Sequence, residues 1–121
     1  RIPGQQDMRL VPLRGLPLKM SRDNLAAMAR ASREAGAAVV LLGMQVPPNY
    51  GRTYGEDFAR LFVDVADKEK ASLVPFFLRG VADVPQADAL FQSDRIHPNE
   101  SAQVTMLDNV WPVLSKLVLR P

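Results

Sequence analysis

The sequence predicts an α/β protein in which amphipathic helices cover a parallel sheet in three layers. Two observations predict this class. Aliphatic and β-branched runs without polar alternation occupy residues 37–43 and 72–77, as is typical of parallel strands covered on both faces. Apolar residues at helical spacing precede, separate and follow these runs. The resulting order is helix, strand, helix, strand, loop, helix.

The composition is that of one globular domain: 121 residues, 47% hydrophobic and 23% charged. The absence of cysteine excludes a disulfide scaffold, a thiolate zinc site and a cysteine nucleophile. Because the net charge is only +2 and aromatic residues do not alternate with basic ones, we expect no nucleic-acid partner. No apolar run is long enough to cross a bilayer, and no signal-peptide pattern opens the sequence.

Domain organisation is predicted from the positions of glycine and proline. These residues interrupt any periodicity over residues 1–20, so we expect an irregular segment there, with at most a short strand at residues 8–13. Residues 21–121 form the structured portion. No internal repeat is present.

The first structured elements are a helix over residues 22–35 and the strand at 37–43, which should be central in its sheet. Ser21 is the predicted N-cap of the helix, and Gly36 should follow its last turn. A turn-rich loop, Pro47 to Gly51, lies beyond the strand. Because open α/β sheets bind ligands at the carboxyl ends of their strands, this loop is a candidate binding segment.

A second helix is expected over residues 54–70, and its predicted core-facing stripe is Phe58, Leu61, Phe62 and Val65. Its acidic residues are expected to face solvent: Asp64, Asp67 and Glu69. The second strand should end near Pro75. A last helix, capped by Asn99 and kinked near Pro112, should reach Leu119. Its predicted inward residues are Ala102, Met106, Val110, Val113, Leu114 and Leu117.

Two strands alone leave at least one long sheet edge without a partner, whereas doubly wound sheets usually have about five strands. We therefore expect further elements of this fold before Arg1, or a partner chain in their place. Self-association through the exposed edge is one form of this expectation.

Residues that could carry chemistry are few. The sole histidine, His97, follows Asp94 by three positions, so one turn can bring the carboxylate to its Nδ1–H and leave Nε2 as a base. The alternative is a loop histidine near an N-cap, with Asp94 capping a turn. One histidine without clustered carboxylates predicts no metal site, and no glycine-rich phosphate loop is present.

A histidine base requires a nucleophile, and none of the serines lies on a strand-to-helix turn flanked by glycines. Their placement predicts structural roles for all of them: Ser21, Ser32, Ser72, Ser93, Ser101 and Ser115. We expect the nucleophile outside this chain; one of these serines in a relocated role is the less favoured alternative.

Several strings occur together in collinear order: PLRGLP, NLAAM, VVLLGMQVPPNYG, LVPFFLRGVA, DRIHPN and DNVWPVL. They resemble the second half of the SGNH, or GDSL-type, hydrolases. The nearest subgroup is the bacterial multifunctional acyl-CoA thioesterase I, protease I and lysophospholipase L1, also called arylesterases. The resemblance covers residues 12–119.

This resemblance implies a flavodoxin-like α/β/α fold. It also implies a periplasmic or secreted serine hydrolase of small acyl esters and thioesters that needs no cofactor. The family's D-x-x-H block is matched by Asp94 and His97, which would orient and act as the catalytic base. Gln45, Val46 and Pro47 match the family's substrate-side loop and would line an acyl pocket.

The blocks that carry the family's nucleophile and oxyanion-hole glycine are absent from the sequence, and the places of its third block read Met8 to Val11. The chain alone is therefore expected to be inactive. Two hypotheses follow: it is the C-terminal part of an SGNH esterase or thioesterase, or it is a non-catalytic remnant that binds acyl ligands or completes another sheet.

Overall fold

A computed structural model describes residues 17–119. Its helices and strands in chain order are α1 (Leu18–Glu34), β1 (Val40–Leu42), α2 (Arg52–Glu69), β2 (Ser72–Val74) and α3 (Gln103–Val118). Short 3-10 helices lie at Pro48–Tyr50, Ala87–Leu90 and Glu100–Ala102. Among these residues, 17–39 and 45–71 form a first compact unit, and 40–44 and 72–119 form a second. The strand predicted at residues 8–13 lies outside the described residues.

Helix α1 begins at Leu18, four residues earlier than predicted, so Ser21 lies inside it. The prediction of Ser21 as N-cap is wrong, because Pro17 occupies that position and no side chain caps the helix. The additional turn contains an ion pair between Lys19 and Asp23, 2.7 Å apart at the stabilising i, i+4 spacing.

The predicted stop at Gly36 is confirmed. Gly36 has φ +96°, a left-handed conformation that glycine adopts without steric cost. Its N–H donates to the carbonyl of Arg33 (2.9 Å), and the N–H of Ala37 donates to that of Ser32 (3.0 Å). These two bonds form a Schellman motif, which satisfies the last carbonyls of the helix.

Helices α1 and α2 pack against each other in the first unit. The predicted stripe of α2 contains two of its most buried residues: Leu61 and Val65 are each only 2% exposed. Phe58 and Phe62 are half-buried and meet edge to face, with ring centroids 5.5 Å apart.

Glu69 contradicts the prediction of a solvent-facing acidic side of α2, because it is 2% exposed. Arg30 donates to both carboxylate oxygens of Glu69, at 3.1 and 2.7 Å, and Arg33 donates at 3.3 Å. The Arg30 hydrogen bond is the main cause that holds the pKa of Glu69 below its ordinary 4.5. Two arginines of α1 thus make burial of this carboxylate possible.

The strands of the second unit pair in parallel, as predicted, with Leu41 opposite Leu73. Strand β2 ends at Val74, immediately before Pro75, which has no N–H to continue the ladder. Leu41 is buried, but Leu42 is 39% exposed, so the expectation that both faces of β1 are covered is wrong at this residue. Among residues 17–119, β1 pairs with β2 alone, and its central position in a sheet stays a prediction.

Gly43 follows β1 at a point where two backbones approach closely. A Cβ atom there would lie 2.2 Å from the carbonyl oxygen of Pro75. The Gly43 N–H donates to Val74 (2.8 Å), and its carbonyl accepts from the N–H of Phe77 (2.9 Å). Only glycine fits, and it extends the contact between the two segments beyond the strands.

Asn99 caps the start of the last helical segment as predicted, since its Oδ1 accepts from the N–H of Ser101 at 2.9 Å. The chain then enters α3, which continues through Pro112. Of the predicted inward residues, Ala102 is fully buried and the other five are half-buried. No residue of α3 itself is buried, and Val104, Leu107 and Trp111 are exposed.

No helix within residues 17–119 is both long and apolar enough to span a bilayer.

Candidate active site

The segment that carries the only histidine is a short loop closed on itself. Phe91 and Pro98 form an antiparallel bridge, and the N–H of Gln92 donates to the carbonyl of His97 at 2.8 Å. The side-chain amide of Asn99 donates to the carbonyl of Phe91 at 3.2 Å. These bonds fix the backbone on both sides of His97.

Within this loop the structure brings the predicted acid–base pair together. His97 Nδ1 lies 2.6 Å from Asp94 Oδ2. The other carboxylate oxygen, Oδ1, accepts from the backbone N–H groups of Ile96 (2.9 Å) and His97 (3.1 Å). Arg95 adopts φ +58° at the centre of this turn, a strained left-handed conformation for a residue with a side chain.

These hydrogen bonds keep the Asp94 carboxyl ionised. The hydrogen bond from His97, followed by those from the N–H groups of Ile96 and His97, lowers the pKa of Asp94 from 3.8 to about 2. An ionised Asp94 accepts from Nδ1–H, which assigns the proton of neutral His97 to Nδ1 and the lone pair to Nε2. The His97 side chain is 68% exposed, so this lone pair is accessible to an approaching hydroxyl.

All six serines lie within the described residues, and none of them hydrogen-bonds to His97 there. Ser21, Ser32 and Ser115 are in α-helices, Ser72 starts β2, Ser101 is in a 3-10 helix, and Ser93 is in the loop. Ser32 Oγ donates to the carbonyl of Met28 at 2.9 Å, a common bond for a serine inside a helix.

The other predicted residues, Gln45, Val46 and Pro47, line an open groove in the first unit. The remaining lining residues are Pro48, Gly51, Arg52, Gly55, Glu56 and Ala59, and these nine together are called the acyl groove below. Its volume of about 470 Å³ is within the range of small-molecule sites. Arg52 Nε and Glu56 Oε1 are 3.3 Å apart at its rim.

The loop wall of this groove is predicted from the sequence, whereas its helical wall is not. Arg52, Gly55, Glu56 and Ala59 follow each other at the i, i+3, i+4, i+7 spacing of one helix face. That spacing, beginning directly after the candidate loop, was the available signal. Among residues 17–119, no group of three or more histidine or acidic side chains is arranged to hold a metal ion.

The chain is similar in sequence to known esterases over most of its length. No protein family model matches the chain. Esterase TesA from Pseudomonas aeruginosa is 49% identical over 106 residues, which are 88% of this chain and 51% of the relative. Thioesterase 1/protease 1/lysophospholipase L1 from Escherichia coli is 33% identical over 106 residues, 88% of this chain and 50% of the relative.

Solved structures of esterases are also similar to this chain. A crystal structure of TesA superposes with a TM-score of 0.78 at 48% identity, covering 88% of this chain and 58% of that one. AlinE4, described as an SGNH-hydrolase family esterase, gives a TM-score of 0.61 at 33% identity, covering 88% of this chain and 55% of that one. The predicted α/β class is confirmed.

Over nearly nine-tenths of its length, the chain is therefore similar in both sequence and fold to solved esterases, one of them described as an SGNH hydrolase. It spans about half the length of the curated relatives it matches.

Proposed function

We propose that this chain supplies the acid–base pair of a carboxylic ester hydrolase that works by acyl transfer. The observation that carries the proposal is the 2.6 Å contact between His97 Nδ1 and Asp94 Oδ2, with Asp94 Oδ1 held by two backbone N–H groups. This is the arrangement in which a histidine acts as a base through Nε2. The names of the relatives, all esterases or thioesterases, support it.

In this mechanism a serine hydroxyl outside the 121 residues attacks the ester carbonyl while His97 Nε2 takes its proton. The protonated imidazole then gives that proton to the leaving alcohol or thiol, and an acyl-enzyme remains. In the second half, Nε2 deprotonates a water that attacks the acyl-enzyme, and the proton returns to the serine. Asp94 holds the imidazole and stabilises its cationic form throughout.

The proposed substrate is a small ester or thioester whose acyl chain occupies the acyl groove against Gln45, Val46 and Pro47. No cofactor takes part in the proposed steps. A periplasmic or secreted location belongs to the same proposal and is supported by the family resemblance. The division of the chain into an N-terminal segment and a hydrolase portion is also part of the proposal, but the boundary predicted between residues 1–20 and 21–121 shifts to Leu18, where α1 begins.

Covalent labelling and complementation test the proposal together. We expect intact-mass analysis to show no fluorophosphonate adduct on the purified chain, because it lacks an activated serine. Fused to the part of TesA that the alignment leaves uncovered, the chain should gain an adduct and hydrolyse p-nitrophenyl butyrate. His97→Ala in the fusion should lower the rate about 10²–10⁴-fold, the usual contribution of a general acid–base group.

Asp88→Ala is the control, since Asp88 is exposed in the 3-10 helix of the same unit and should leave the rate unchanged. An adduct on the unfused chain would place the nucleophile within its 121 residues. Full activity of the His97→Ala fusion would remove His97 from the mechanism.

The second candidate is a non-catalytic remnant that binds acyl ligands or completes a sheet, including one of its own copies. The exposed apolar residues Val104, Leu107 and Trp111 of α3 favour it, because large exposed apolar patches mark interaction sites. Self-association of the unfused chain in sedimentation velocity, with no hydrolysis by the fusion, is its expected signature. A stable monomer would contradict the self-association.

A further inference from the structure

Gly55 is the one residue of helix α2 that lines the acyl groove without a side chain. Its N–H donates to the carbonyl of Gly51 at 3.1 Å, as part of the helical ladder. Glycine destabilises a helix interior relative to alanine, because the unfolded chain loses more conformational freedom. A glycine at position 55 therefore lowers the stability of helix α2, and we expect it to have a compensating role.

Neither of the usual structural reasons applies to Gly55. It is not among the glycines with positive φ, which are Gly36, Gly51 and Gly80. A Cβ atom at Gly55 would meet only Val46 Cγ2, at 3.8 Å, which is ordinary van der Waals contact. Gly43 shows the contrast, since a Cβ there would be 2.2 Å from the carbonyl oxygen of Pro75. What a side chain at Gly55 would occupy is the groove.

The chemistry of the groove favours the aliphatic chain of a ligand. Val46, Pro47, Pro48 and Ala59 contribute apolar walls to a space of about 470 Å³. The two charged lining residues, Arg52 and Glu56, lie 3.3 Å apart and neutralise each other at the rim. An aliphatic chain gains from burial against such walls in proportion to the apolar area that it removes from water.

We propose that Gly55 is a specificity-determining residue: its missing side chain sets the length of the acyl chain that the groove accepts. The inference rests on the proposed function, because it takes the groove as the acyl site. The side chain of a larger residue at position 55 would lie beside Val46 and occupy the volume of the last methylene groups of the ligand.

Binding without turnover tests this inference. The ¹⁵N-labelled chain is titrated with octanoate, and the amide resonances of Gly51, Gly55 and Glu56 should shift in a saturable way. Gly55→Leu should weaken binding roughly fifteenfold, the factor expected when about two methylene groups are displaced. Gly55→Ala, which helix propensity favours, should weaken it roughly fourfold.

Thr53→Leu is the matched control, because Thr53 is exposed on the same helix and does not line the groove. It should leave the affinity for octanoate unchanged. If the spectrum of Gly55→Leu shows an unfolded chain, Gly55→Ala carries the test alone.

Unchanged octanoate affinity in a folded Gly55 variant, shifts confined to other residues, or no saturable binding would each overturn the inference. The proposed function fails separately. If octanoate binds as expected but the TesA fusion does not hydrolyse esters, the catalytic proposal falls and the groove stands. If the fusion hydrolyses esters while octanoate does not bind the groove, only the inference falls.

Discussion

In each unit, side-chain hydrogen bonds join segments that are distant in the sequence, but the bonds are charged in the first unit and neutral in the second. In the first unit, the buried carboxylate of Glu69 on α2 binds Arg30 and Arg33 of α1. In the second, the amide of Asn109 on α3 donates to the carbonyls of Phe77 (2.9 Å) and Arg79 (2.8 Å). The contact of the first unit depends on the ionisation of Glu69, whereas the hydrogen bonds of Asn109 do not depend on ionisation.

The helices of the two units also differ in burial. Helix α2 buries Leu61 and Val65, whereas none of the residues of α3 is buried. Both helices carry apolar residues at helical spacing, so periodicity does not explain the difference. An apolar stripe therefore contributes to stability only where a neighbouring element covers it.

The largest expected effect is a difference in unfolding free energy between a leucine variant of α2 and a leucine variant of α3. Leu61→Ala should lower the free energy of unfolding by about 2–5 kcal/mol, because it leaves a cavity at a position that is only 2% exposed. Leu107→Ala, at a position that is 58% exposed, should change it by less than about 0.5 kcal/mol. Urea unfolding of the two variants measures the difference. Equal losses would mean that Leu107 is covered in solution.

A smaller effect is expected for the hydrogen bonds of Asn109. Asn109→Ala removes the donor from two backbone carbonyls, so it should cost about 1–3 kcal/mol of unfolding free energy. Asn24→Ala is the control, since Asn24 is exposed on α1. Thermal unfolding at neutral pH compares them. If the two variants have equal melting temperatures, the hydrogen bonds of Asn109 contribute nothing to stability.

The smallest expected effect is the change with pH in the stability that the ion pairs of Glu69 contribute, because this contribution is full at neutral pH and is lost only in acid. The pKa of Glu69 is lower in the folded chain than its ordinary 4.5, so its ion pairs stabilise the fold above about pH 4.5. That stability is lost as the pH falls through the folded pKa. The stability difference between the parent and Glu69→Gln should therefore shrink below pH 4.5.

Asp67→Asn is the control for this pH series, because Asp67 is exposed on the same helix and should give a small, constant difference. Asp94, with a pKa of about 2, also titrates in acid, but it is unchanged in all three proteins and cancels. A parent-to-Glu69→Gln difference that does not vary with pH would show that Glu69 is not held by charge.

Much of the fold follows from local patterns in the sequence. The unalternating runs at residues 37–43 and 72–77 predict parallel strands, and the structure pairs Leu41 with Leu73 in parallel. Pro75 ends β2, and Gly36 ends α1, because each restricts or permits a backbone conformation by its own covalent geometry. The start of α1 was mispredicted, since a capping serine is only one of several ways to begin a helix.

The candidate site, like the fold, has parts that local sequence predicts and parts that depend on how elements pack. The three-residue spacing of Asp94 and His97 is local, so the sequence alone indicates their contact, and the family resemblance strengthens it. The helical wall of the acyl groove requires α2 to meet the preceding loop, which no single segment specifies. Arg95 was not expected in a left-handed conformation, because nothing in its own side chain favours one.

The α/β class, the parallel pairing and the similarity to known esterases all follow from the sequence alone, because they depend on periodicity and on strings of neighbouring residues. Only the tertiary structure decided that Glu69 is buried between two arginines of another helix. Tertiary packing also places Gly55 in the lining of a groove and leaves Leu107 exposed. Burial is set by which elements pack together, and helical spacing alone does not contain that information.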